Sequence, residues 1–144
     1  MFRGHAGYNP FNNGGSSSIS GWDTSNVTTM QYMFAKTLFN QPIGYWDMSS
    51  CTAINQMFYG SHNFDQDLGN WNVTSITNAS NFMQGASGLS TTNYDSTLGG
   101  WSSQAVQNGV NIHFGSSKYS TATGLAYRNA LVASGWTITD GGAV

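Results

Sequence analysis

Four tryptophans, Trp22, Trp46, Trp71 and Trp101, stand 24, 25 and 30 residues apart, and the residues behind them repeat. The chain reads Trp22-Asp23-Thr24-Ser25-Asn26-Val27, then Trp46-Asp47-Met48-Ser49-Ser50-Cys51, then Trp71-Asn72-Val73-Thr74-Ser75-Ile76. A fixed period of this length marks an array of similar units, none of which can bury its apolar side alone. The apolar positions repeat as well: Val27, Cys51 and Ile76; Met30, Ile54 and Ala79; and the pairs Met33-Phe34, Met57-Phe58 and Phe82-Met83. Their spacing by threes and fours predicts a short amphipathic helix in each unit. Ser25, Ser50 and Ser75 stand where they would cap those helices, and Gly60 and Gly85 where they would end them, with Lys36 departing from the rule.

Between the helices, Phe39, Phe64 and Leu89 align, as do Ile43, Leu68 and Leu98. Ile43-Gly44-Tyr45-Trp46 and Leu68-Gly69-Asn70-Trp71 are too short for helices and read as strands that stack in parallel, one per unit. The core columns expected from this register are Trp22, Met33, Phe34, Trp46, Met57, Phe58, Trp71, Phe82, Met83 and Trp101. Cys51 falls in such a column and reads as a buried, unreactive thiol.

The run Trp-Asp-Thr-Ser-Asn-Val-Thr-x-Met-x-x-Met-Phe at 22–34, with Phe39-Asn40-Gln41-Pro42-Ile43 and Phe64-Asp65-Gln66-Asp67-Leu68, resembles the BspA-like leucine-rich-repeat surface proteins of bacteria, whose repeats also occur in phage structural proteins. The resemblance covers about 22–101. It implies an α/β solenoid of leucine-rich-repeat-like coils, each a short parallel strand plus a short helix, displayed on a cell surface or virion and used for attachment. It brings no catalytic residues.

The chain divides, on this reading, into a partial N-terminal repeat with a Gly/Ser loop (1–21), three repeats (22–100) and a C-terminal α/β cap (101–144). Met1-Phe2-Arg3-Gly4 matches Met57-Phe58-Tyr59-Gly60, so the chain opens within a unit. That predicts a fragment of a longer protein, or a first unit covered by another domain or subunit. Asn12 to Ser18 reads as a flexible loop. After Leu89 the pattern predicts a helix running through Leu98 and Trp101, a strand at Val110–Phe114, a second helix stopped by Gly135, and a final strand at Trp136–Asp140.

Only 7% of the 144 residues are charged, against about 25% in ordinary domains. The polarity comes from Asn, Ser, Thr and Gly. A net charge of −2 with no run of basic residues excludes an electrostatic case for nucleic acid. One cysteine excludes an intrachain disulfide, and no stretch approaches the ~20 apolar residues of a membrane span.

No nucleophile motif, zinc motif or phosphate loop is present, so the expectation is no enzyme, no cofactor and no metal. His5, His62 and His113 are scattered. Asp65-x-Asp67-x-x-Asn70 could offer oxygens to calcium but lacks a closing bidentate acid, while Asp23 and Asp47 are placed to close turns. Asn26, Asn72 and Asn78 are formal glycosylation acceptors.

The expected function is a surface-displayed attachment or recognition module. Its partner is a glycan or protein receptor, or neighbouring subunits of an assembly. The best exposed aromatics are Tyr32, Tyr45 and Tyr59, whose faces could pack on sugar rings. The alternative is a purely structural decoration or spacer domain.

Overall fold

The computed structural model describes residues 7–144, so the match of Met1 to Gly4 and the placement of His5 lie outside the described residues. Among the described residues, the α-helices and paired strands all lie from Thr91 onward. There, helix α1 (Thr91–Ser102) is followed by strand β1 (Asn111–His113), helix α2 (Gly124–Ala133) and strand β2 (Thr137–Thr139). β1 and β2 pair in parallel, Ile112 opposite Ile138. Two short 3-10 turns, Asn13–Gly15 and Ser17–Gly21, precede Trp22.

The expected leucine-rich-repeat solenoid of strand-plus-helix coils is therefore corrected. Among the described residues there are two α-helices and one two-stranded sheet, and no helix or strand lies between Trp22 and Ser90. The reason lies in where the backbone amides go. A helix needs each amide to reach the carbonyl four residues back. Here the amides of Met30, Tyr32, Phe34 and Lys36 donate instead to the carbonyls of Ala53, Asn55, Met57 and Tyr59, at 2.7–3.2 Å. Those of Ile54, Gln56, Phe58 and Gly60 donate likewise to Asn78, Ser80, Phe82 and Gln84, at 2.9–3.0 Å.

The alternate amides close tight turns, such as Met33 to Met30, Met57 to Ile54 and Phe82 to Ala79. The third residue of each turn has a positive φ: Tyr32 at 59°, Gln56 at 54° and Asn81 at 56°. Four residues on, Lys36, Gly60 and Gly85 are left-handed too. Left-handed residues stop a helix from propagating. The spacing of threes and fours thus belongs to a succession of turns, and Gly60 and Gly85 serve those turns, which Lys36 also adopts.

Ser25, Ser50 and Ser75 consequently cap nothing. Asp23, Asp47 and Asn72 each accept the amide and hydroxyl of the residue two further on, Ser25, Ser49 and Thr74, at 2.6–3.1 Å. Ser50 and Ser75 donate to the Ser25 and Ser49 carbonyls at 2.7 Å. The expected strands at Ile43–Trp46 and Leu68–Trp71 are also turns, in which the Trp amide reaches the carbonyl of the residue three back, at 3.1 Å. Nor is 12–18 a free loop: Asn13 Nδ2 donates to the Ser16 carbonyl at 2.8 Å.

A row of single parallel bridges, Thr29 to Ala53 to Asn78, then Ala79 to Ile112, carries the pairing from the turn segments into β1 and β2. Along it each indole holds the segment before: Trp46 Nε1 donates to the Ile19 carbonyl, Trp71 to Ile43 and Trp101 to Leu68, at 2.8–2.9 Å. The phenyl rings stack, Phe34 on Phe39 with centroids 3.7 Å apart and Phe58 on Phe64 at 3.8 Å. One continuous core results, from Ile19 through Met57, Trp71 and Trp101 to Trp136. Cys51 is enclosed in it, where burial pushes its thiol pKa up.

α1 buries Tyr94, Thr97, Leu98 and Trp101, one face at helical spacing. Gly135, at φ 95°, ends α2: its amide reaches the Val132 carbonyl and that of Trp136 reaches Leu131. Asp140 ties the end together. It accepts Tyr94 Oη at 2.7 Å and Arg128 Nε at 2.8 Å. The Tyr94 hydroxyl, buried and donating to a carboxylate, has its pKa pushed far above the ordinary phenol range.

Candidate functional site

Asp65 brings a charged group into a ladder of side-chain amides. Asn12 Oδ1 accepts the Asn40 amide and Gln41 Nε2, and Asn40 Oδ1 accepts the Asp65 amide and Gln66 Nε2, at 2.8–3.0 Å. Asp65 Oδ1 continues the pattern by accepting the Ser90 amide, Ser90 Oγ and Asn93 Nδ2, at 2.8–2.9 Å. Burial raises its pKa, but these donors more than offset burial and hold the carboxyl below the usual aspartate value.

The folded chain therefore binds fewer protons than the unfolded chain around the folded Asp65 pKa. Its contribution is fully present above about pH 4 and is lost as pH falls through the folded value. Asp65→Asn keeps an accepting Oδ1 and removes the titration. Acid unfolding followed by circular dichroism is expected to show a shallower loss of stability below pH 4 in the variant than in the parent. Identical acid slopes would show that Asp65 contributes nothing.

Asp67 is also taken up, by the Gly69 amide at 2.8 Å and Ser96 Oγ at 2.6 Å. Among the described residues no three potential metal ligands converge. His62 Nδ1 pairs with Ser87 Oγ, and His113 Nδ1 accepts the Gly115 amide, both at 3.0 Å.

The expected aromatic face is dispersed. Tyr45 is 87% exposed, Tyr32 and Tyr59 are half-buried, and no ring contact joins the three. Of the expected core columns, Phe34, Trp46, Met57, Phe58, Trp71, Phe82, Met83 and Trp101 are buried. Met33 is half-buried and Trp22 is 46% exposed.

Trp22 and Met33 border the concave feature of interest. A cleft of about 400 Å³ is lined by Trp22, Asp23, Thr24, Val27, Thr29, Met30, Gln31 and Met33. Its floor is apolar, and Asp23 and Gln31 supply oxygens at its rim. Trp22 is held from behind by Trp46, with centroids 6.2 Å apart and planes 8° from parallel. Beneath Gln31, whose Oε1 accepts Asn55 Nδ2 at 3.3 Å, the Asn55 Oδ1 is buried without a partner. Sequence reasoning put Trp22 in the core because it shares the column of Trp46 and Trp71. The distinguishing signal was its place as the first of the series.

Residues 5–124 match the family described as Mycoplasma protein of unknown function, DUF285. The chain belongs to this family. That corrects the resemblance to the BspA-like leucine-rich-repeat proteins: no BspA-like family matches, and the leucine-rich-repeat description falls with it. The quoted residues are shared turn chemistry: Asp or Asn after Trp closes a turn and Phe-Asn-Gln builds a side-chain ladder. Neither feature requires a leucine-rich-repeat coil. No curated protein and no solved structure matches this DUF285 chain. No helix among its described residues is long and apolar enough to cross a membrane.

Proposed function

We propose that this DUF285 domain is a non-enzymatic attachment module displayed on a cell surface or virion, and that it binds its receptor at the Trp22 cleft. The observation that carries the reading is the cleft itself, an apolar hollow rimmed by Asp23 and Gln31. A large aromatic ring stands at its edge, half exposed and backed by a second ring. An apolar concavity with a few placed polar groups is the usual form of a recognition site, and tryptophan is over-represented among residues that dominate binding. The surrounding surface of Asn, Ser and Thr with few charges suits recognition by shape and hydrogen bonds. Tyr45 offers a second exposed ring.

The test is binding of the labelled domain to a glycan array, to cells and to candidate receptor proteins, with Trp22→Ala and Tyr45→Ala beside it. Saturable binding that Trp22→Ala weakens about tenfold or more supports the reading. Binding unaffected by Trp22→Ala, or none by the folded parent, overturns it.

A further inference from the structure

The rim of the Trp22 cleft is also an unfinished hydrogen-bond edge. Where 46–60 lies on 22–36, the Thr52 amide donates to the Thr28 carbonyl, and the Met30 and Tyr32 amides donate to the Ala53 and Asn55 carbonyls, at 2.9–3.2 Å. The contact between 71–84 and 46–60 repeats this: Thr77 donates to Thr52, and Ile54 and Gln56 donate to Asn78 and Ser80. On the opposite side of 22–36, the groups in those same positions are the Thr28 amide and the Thr29 and Gln31 carbonyls. None of them has a backbone partner among the described residues. The indoles tell the same story. Trp46, Trp71 and Trp101 each donate to a carbonyl of a preceding segment, whereas Trp22 Nε1 has no acceptor among the described residues.

From this continuity of register we infer that the cleft takes an extended polypeptide segment, which adds in parallel along Thr28–Gln31, short of the Lys36–Leu38 stretch where Asn9 already pairs on that side. The inference rests on the attachment reading and names its ligand class. The incoming segment supplies two alternate amides to Thr29 and Gln31, a carbonyl to the Thr28 amide, and a further carbonyl to Trp22 Nε1. An apolar side chain lies between them in the cleft. Alternating donors and acceptors of this kind are the demand of a parallel partner, and strand addition is a recurrent mode of peptide recognition. A saccharide could stack on Trp22 but would leave the evenly spaced backbone groups unmatched. The segment that fits by construction is one with the pattern of 22–32 itself, which stops before the stretch that Asn9 occupies.

The probe is a fluorescein-labelled synthetic peptide with the sequence of residues 22–32, titrated against the whole domain. A second peptide is N-methylated at the positions of Met30 and Tyr32, which removes the two donors and leaves the side chains. Expected are saturable binding of the first peptide, at least about tenfold weaker binding of the methylated one, and a similar loss in the Trp22→Ala domain. Equal binding of the two peptides, or no binding of either, overturns the strand-addition inference. A glycan bound through Trp22 that the peptide does not displace also overturns it and leaves the attachment reading standing. Failure of every receptor, glycan and peptide with a folded domain overturns both.

Discussion

Trp71→Ala is expected to cost about 4 to 5 kcal/mol, the upper range for removing a large aromatic from a close-packed interior. Trp71 is fully enclosed. Its ring stacks with Trp101, centroids 6.3 Å apart, and its Nε1 donates to the Ile43 carbonyl at 2.8 Å. Three losses coincide in the alanine variant: a cavity the size of an indole, an aromatic contact on one side, and on the other one of the two hydrogen bonds to the Ile43 carbonyl, which keeps only the Trp46 amide. Trp71→Phe separates them. It keeps most of the volume and removes the donor, so it should cost about 1 to 3 kcal/mol for the lost hydrogen bond and the partial void. Urea unfolding measures both. A loss below about 1 kcal/mol for Trp71→Ala would mean that the segments are not held through the indole column.

The second large effect is positional and separates two adjacent glycines of α1. A Cβ on Gly100 would lie 2.0 Å from the Gly69 carbonyl oxygen and 2.6 Å from both Gly69 carbon atoms of the backbone. Backbone cannot swing aside as a side chain can, so Gly100→Ala must push α1 off the Leu68–Trp71 turn. It would strain the Trp101 indole bond to Leu68 as well. The expected loss is about 3 kcal/mol or more, at the upper end of overpacking. A Cβ on Gly99 meets only the ring of Tyr127, at 3.1–3.4 Å, and that ring is partly exposed and can give. Alanine is also about 1 kcal/mol better than glycine within a helix. Gly99→Ala is therefore expected to stay within about 1 kcal/mol of the parent. Thermal unfolding of the two variants decides the matter, and equal stabilities would refute the close approach of α1 to Gly69.

This pair shows what a linear reading can and cannot see. In sequence, Gly99 and Gly100 are two equally awkward residues in a helix. Their difference comes entirely from a turn about thirty positions earlier. The same holds for Trp22 and Trp71, which occupy one column of the pattern yet differ from nearly half exposed to fully enclosed. Pattern assigns a residue to a column, and only neighbours on both sides decide whether the column buries it. The spacing after each tryptophan was misleading for a related reason. Apolar residues three and four apart face one side of a helix, but they also face one side of a run of tight turns with left-handed residues at 32, 56 and 81. Periodicity does not separate those two backbones.

The sequence by itself determined the period, the apolar columns from Ile54 to Met83 and the turn role of Asp23 and Asp47. It also determined the helices and strands after Leu89, because all of these depend on local spacing and on short-range side-chain to backbone bonds. The tertiary structure decided that the amides of Met30 to Lys36 and Ile54 to Gly60 cross to a neighbouring segment instead of closing a helix. It decided, too, that Trp22, Thr29 and Gln31 border a cleft whose Thr28–Gln31 edge has no backbone partner among the described residues. Those outcomes depend on which backbone groups have a neighbour in space, and a residue's own sequence surroundings carry no information about a partner 24 positions away.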